Sequence, residues 1–231
     1  MNPFLKSGDE HFFLNKKAAG FQLKDFWAWS QSDLLNNTLR GQIAEFLVKQ
    51  ALEIPSNKPR VEWDAYDLVT DEGIKIEVKS AAYVQSWTQI KDSYIKFDIC
   101  PKKGWNAETN KTPLKAIRVA DFYIFCLLHH KEKATIDPLD LDQWTFYILQ
   151  KSIMDTHLGT QKSISLSTLH SLNPVECRFD EIKSGLSELK MDLSIPKKKT
   201  KHPSSFSSFK KIKLISQILC NFNWLAIKVC L

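Results

Sequence analysis

Asp67, Glu77 and Lys79 are the residues whose types and spacing suit phosphodiester chemistry. They lie in AYDLVTDEGIKIEVKSA, residues 65–81, which reads as two strands around a turn. In the second strand Ile74, Ile76 and Val78 point one way, and Lys75, Glu77 and Lys79 the other. A three-residue loop, 71–73, with Gly73 in the left-handed conformation, is a common hairpin connection. It sets Asp67 opposite Glu77 on one face and Leu68 opposite Ile76 on the other. Two opposed carboxylates repel unless a cation lies between them, and Mg²⁺ or Mn²⁺ takes oxygen ligands of this kind. Lys79 can then contact the scissile phosphate or position the attacking water. Asp64 is the rival for Asp67 and would replace it if the loop had two residues. The bland alternative for the whole cluster is an amphipathic hairpin with a solvated polar face.

Something must hold this hairpin in place. The clearest helix runs over 38–52, with Pro55 just beyond its end. Leu39, Ile43, Phe46 and Leu47 share one face, and Gly41, Ala44, Glu45, Val48 and Leu52 a second, so burial on two sides is expected. Glu45 in an apolar stripe needs a partner, because an unpaired buried carboxylate is costly. The metal site would supply one; the alternative is a glutamate that reaches solvent at the stripe's edge. Strands are expected at 94–100, 122–128 and 144–149, rich in aromatic and β-branched residues. A helix, a hairpin and further strands make a mixed α/β or α+β domain with helices flanking a mixed sheet.

Arg40-Gly41-x-x-x-Glu45 on a helix, then Asp67, then Glu77-Val78-Lys79-Ser80 ending a hairpin strand, resembles the PD-(D/E)xK nuclease superfamily. The resemblance covers roughly residues 38–100. It implies a restriction endonuclease-like αβββαβ core, with Asp67, Glu77 and the Val78 carbonyl as ligands of Mg²⁺ (or Mn²⁺). By the same resemblance Lys79 is the catalytic lysine and Glu45 an accessory acid. Gln85 is a further catalytic candidate, since some members place a glutamine downstream of the lysine; a surface glutamine is the other reading. The family's Pro-Asp pair is replaced by Tyr66-Asp67. The function implied is a metal-dependent DNA endonuclease, as in restriction or defence against foreign DNA. The alternatives are a junction resolvase or repair nuclease, or a catalytically silent binding module of the same fold.

Composition supports a globular body. The 231 residues are 43% hydrophobic and 25% charged, with a net charge of +6. Eight lysines and no acid lie in 196–231, so the preceding residues carry slightly more acid than base. The charge excess thus belongs to the end of the chain. Within the body, Lys91, Lys96, Lys102, Lys103, Lys111 and Lys115 are the candidates for DNA backbone contact, with a solvated lysine-rich loop as the alternative. Trp87 is expected to pack in the core, and Ser163–171 to supply caps and turns. His129 and His130 match no zinc spacing. No P-loop, GxGxxG, GxSxG or HExxH motif occurs, so no nucleotide cofactor is expected.

Three zones follow: an aromatic-rich extension at 1–36, capped at Ser32 or Asp33 and packed on the core; a nuclease domain at 37–190; and a basic linker with an apolar tail at 191–231. The tail is too polar for a comfortable membrane span, and a docked helix is preferred to an interfacial one. Five cysteines without a CxxC pair, and no visible signal peptide, suggest a cytoplasmic protein. A homodimer would supply two sites for duplex cleavage.

Overall fold

At the N-terminus, strands β1 (His11–Leu14) and β2 (Lys17–Gln22) form a hairpin that turns at Asn15 and Lys16. Both turn residues have positive φ, 50° and 63°, the sense that matches strand twist. Helix α1 (Leu23–Gln31) follows, with the Gln22 backbone N–H donating to the Asp25 carboxylate at 2.7 Å. The aromatic residues here were expected to pack on the core. Instead Phe13 on the hairpin is 68% and Trp29 on α1 83% exposed, since among the described residues no second layer covers them. What packing there is stays local: Phe12 lies against Phe21 at 4.9 Å, and Trp27 closes over Gly8.

The protein is described by a computed structural model covering residues 4–55, 59–60, 65–102 and 116–194. Of the expected linker and tail at 191–231, residues 191–194 belong instead to the last helix, and the rest, like Asp64, lies outside these residues.

Helix α2 (Asn37–Ala51) is capped by neither Ser32 nor Asp33 but by Asn36, whose side chain accepts from the Thr38 N–H at 3.0 Å. Its buried residues are Arg40, Ala44, Leu47 and Val48, while Phe46 is 55% exposed. Two-sided burial is therefore corrected. A single sheet meets this helix, so one face is covered and Phe46 turns to solvent.

The sheet is built from β3 (Leu68–Val69), β4 (Lys75–Ala82), β6 (Phe122–Leu128), β7 (Trp144–Gln150) and β9 (Val175–Cys177), in the order β3-β4-β6-β7-β9. Only the β4–β6 pair is parallel, running from Ile76↔Phe122 to Ala82↔Leu128. Strand β6, FYIFCLL, is buried along its whole length, as a central strand covered on both faces must be. One layer is α2 with α5 (Ile182–Ser194), enclosing Ile76, Val78, Ile124 and Phe146. The other holds α3 (Lys151–Leu158), α4 (Leu166–Ser171) and a small sheet of β5 (Lys96–Asp98) with β8 (Ser163–Ser165). This second layer encloses Phe97, Tyr123, Phe125, Tyr147 and Met154. The result is a mixed α/β fold.

The strands expected at 94–100, 122–128 and 144–149 are present as β5, β6 and β7. Of these, β5 leaves the central sheet to pair with β8, where Ser165 caps α4 as its composition suggested. In chain order α2 is followed by β3, β4, β5 and β6. The next helix, α3, comes after β7 rather than before it. Among the described residues no helix is long and apolar enough to cross a membrane.

Helix α5 meets the sheet closely at Gly185, where an added Cβ would lie 2.9 Å from Val175 Cγ1 and 3.3 Å from Ile148 Cδ1. Gly185→Ala is expected to bring none of the roughly 1 kcal/mol that alanine adds to a helix interior. Gly185→Leu should destabilise by about 1–3 kcal/mol through overpacking. Thermal denaturation followed by circular dichroism checks both; a stabilised Gly185→Leu would show that α5 is not seated as described.

Candidate active site

Strand β4 positions the acidic residues. The turn has the geometry that its residues demand: Gly73 has φ +83°, its N–H donates to the Thr70 carbonyl at 2.8 Å, and Thr70 N–H donates to the Ile74 carbonyl at 3.0 Å. The register is Leu68↔Ile76 and Val69↔Lys75, that of a three-residue loop. Ile76 and Val78 face α2, and Glu77 and Lys79 face the β5 side.

Strand β3 begins only at Leu68, so β4 has no strand partner on this edge at Val78. The Asp67 carboxylate fills that gap and accepts from the Val78 N–H at 2.7 Å. By strand parity the Val78 carbonyl points to the same edge. Glu77, whose side chain is 5% exposed, accepts on one oxygen from two ammonium groups: Lys79 at 2.6 Å and Lys102 at 2.9 Å. A buried carboxylate needs such partners.

The acids crowd one another. The Asp67 carboxyl is pushed up to about 6, first by burial, then by the charge of Glu77, with Glu45 adding a smaller push; the Val78 N–H and Lys79 work the other way. For Lys102, burial acts against the charged form, yet the attraction of Glu77, Asp67 and Asp98 holds it above its ordinary value. Tyr123, the register neighbour of Glu77 on β6, is pushed up by burial and by the Glu77 charge. Glu77, Lys79, Asp98, Lys102 and Tyr123 line one cleft on this face.

Glu45 comes close enough to raise Asp67, but its direct partner is Arg60, which holds both carboxylate oxygens. The expected choice between a metal site and solvent thus has a third answer, an arginine pair. Among the described residues no three His, Cys, Asp or Glu side chains converge on one point. A cation at this edge would therefore be held by two carboxylates, which suits Mg²⁺ with water and phosphate completing its shell.

Other candidates fall elsewhere. Gln85 is neither catalytically placed nor a surface residue. Because β4 continues from Glu77 to Ala82, roughly 16 Å of strand, Gln85 lies at its far end and is buried. There it accepts from Arg40 at 3.2 Å and donates to the Ala82 carbonyl at 2.9 Å. Arg40 also bonds Ser80, the Leu35 carbonyl and Asn37, which ties the start of α2 to β4. Lys91 and Lys96 are exposed; Lys103, Lys111 and Lys115 lie outside the described residues. Trp87, expected in the core, is 53% exposed on a loop whose carbonyls bind Lys133. A separate cleft of about 240 Å³ between α2, the β3–β4 turn and α5 is spanned by the Lys183–Glu53 and Lys190–Glu72 pairs and holds none of the site residues.

Sequence reasoning missed Arg60 as the partner of Glu45, and placed Lys102 on DNA without its contact to Glu77. Neither has a local signal: each pairing joins residues 15 or more positions apart. Tyr123 was hidden within the uniformly apolar run of β6.

Two carboxylates beside two ammonium groups, on and next to the second strand of a mixed sheet, are groups that could serve phosphodiester hydrolysis. Residues 21–168, from the end of β2 to within α4, match the family model of bacteriophage T4 endonuclease IV. The chain belongs to this family and is a nuclease. No curated protein matches it.

Asp67 binds its proton more tightly in the folded state than in the unfolded chain. Stability is therefore lost as pH rises from about 4 through about 6, where the carboxyl ionises. Asp67→Asn keeps an acceptor for the Val78 N–H and removes that loss. At pH 8 in EDTA the variant should be more stable by on the order of 1 kcal/mol, with the gain gone near pH 4. Melting curves at the two pH values test this; equal destabilisation at both would exclude the assigned crowding.

Proposed function

We propose that the chain is a metal-dependent DNA endonuclease of the PD-(D/E)xK type. The observation that carries this reading is the placing of Asp67, held on the Val78 N–H at the edge of β4 at 2.7 Å, where burial and then the charge of the neighbouring Glu77 raise its carboxyl. A divalent cation relieves the same repulsion that the proton does. Helix α2 followed by strands β3 and β4, and membership of an endonuclease family, support the reading.

Asp67 and Glu77, with the Val78 carbonyl, would hold Mg²⁺ or Mn²⁺, which polarises a phosphate and makes a bound water more acidic. Lys79, tied to Glu77 along one strand face, presents its ammonium where charge develops on the phosphate oxygens. Arg60 holds both oxygens of Glu45, so that this acid acts on Asp67 through its charge rather than as a ligand. The exposed Lys91 and Lys96 would contact the DNA backbone without reading sequence. Cutting both strands of a duplex would use two copies of the chain. Cleavage of foreign DNA, as in restriction, is the biological use we assign to this activity.

The test is cleavage of single-stranded and duplex DNA by the full chain with Mg²⁺, Mn²⁺ or EDTA. EDTA should abolish cutting, and Glu77→Ala and Lys79→Ala should each slow it by about 100-fold or more. Cleavage that survives both substitutions excludes this site.

A further inference from the structure

Lys102 is a feature that the reading above leaves unexplained. Its ammonium shares the Glu77 Oε1 atom with Lys79, at 2.9 and 2.6 Å. An oxygen that binds Mg²⁺ at about 2.1 Å has no room for two ammonium groups as well. One lysine must leave when a cation takes this oxygen rather than Oε2, and the structure distinguishes them. Lys79 stands two residues from Glu77 on the same strand, with its side chain 17% exposed. Lys102 comes from a neighbouring segment, and its side chain is 57% exposed. Its backbone is fixed by paired hydrogen bonds with Ile117, at 3.1 and 3.0 Å, so the side chain can swing while its anchor stays.

Charge balance says where the ammonium goes. Asp67, Glu77 and Asp98 face Lys79 and Lys102, one acid in excess, while Glu45 is paired with Arg60. Adding a dication leaves an excess of positive charge at the cleft. The anion that restores the balance is a phosphodiester, and a displaced ammonium on a four-carbon stem is suited to bind it.

Resting on the metal-site reading above, we propose that Lys102 is an exchangeable counter-ion. It holds Glu77 until a divalent cation displaces it, and then binds a phosphate oxygen of the DNA at the cleavage site. It is thus a catalytic residue whose two partners are occupied in turn. The metal and DNA reinforce each other's binding, because the first frees the group that grips the second.

The experiment measures Mn²⁺ binding by titration calorimetry, without DNA, on the full-length wild type, Lys102→Met, Lys102→Arg and Glu77→Gln, together with DNA cleavage at saturating Mn²⁺. Removing the competitor should tighten Mn²⁺ binding in Lys102→Met by roughly 5-fold, while its cleavage rate falls by about 10–100-fold. Lys102→Arg, which keeps the charge, should bind Mn²⁺ as the wild type does. Unchanged or weaker Mn²⁺ binding in Lys102→Met overturns the proposal, as does unchanged cleavage. Glu77→Gln separates the two levels: if it keeps wild-type Mn²⁺ affinity, the metal site itself is misassigned. If it loses binding while Lys102→Met shows no change, only the exchange is excluded.

Discussion

A strand edge left open by one short neighbour is the constraint from which the site follows. Strand β3 pairs with β4 for two residues and stops, so the Val78 N–H faces a gap rather than a ladder partner. A buried backbone donor must find an acceptor, and the Asp67 carboxylate supplies it. That bond pulls Asp67 in beside Glu77, where burial and the second negative charge raise the cost of ionisation. A longer β3 would satisfy Val78 with a carbonyl and leave Asp67 free to turn away. The irregular end of a hairpin is what converts two ordinary acids into a strained pair.

The rest of the fold keeps that pair from relaxing. Strand β6 lies parallel to β4 and covers its other edge over the whole of Ile76–Ala82, so β4 cannot slide. Helix α2 is seated on the sheet by Ala44, Leu47 and Val48, and its first turn is tied to the far end of β4 through Arg40, Ser80 and Gln85. These contacts set the height at which Glu45 meets Asp67. The guanidinium of Arg40 is buried among neutral oxygens, and burial lowers it from its ordinary value. It therefore serves register rather than chemistry.

Compensation by lysines makes the site tolerable in the fold. Glu77 is nearly inaccessible, and a lone carboxylate there would be very costly. Lys79 comes with the strand at no extra ordering, while Lys102 is brought by the bridge at Ile117. The cleft they share with Asp98 and Tyr123 is much smaller than the cleft near Glu53 and Glu72. Chemistry is concentrated where charge is crowded, not where space is largest.

Much of the site was legible in the sequence because its logic is local. The alternation of Ile74, Ile76 and Val78 with Lys75, Glu77 and Lys79 specifies which side chains share a face, and Gly73 specifies the turn that sets the register. Both act over a few residues, where backbone geometry decides. The apolar runs of β6 and β7 were legible for the same reason. What only the tertiary structure decided depends on segments distant along the chain. Lys102 meets Glu77 because β5 leaves the central sheet; Arg60 pairs with Glu45 from 15 positions along the chain; Gln85 is internal because Arg40 must be solvated by something. The aromatic arm is exposed since among the described residues no second layer covers its hairpin, which composition by itself does not reveal. Alternation and turn residues determine who may stand opposite whom, whereas the packing of layers decides which charge neutralises which.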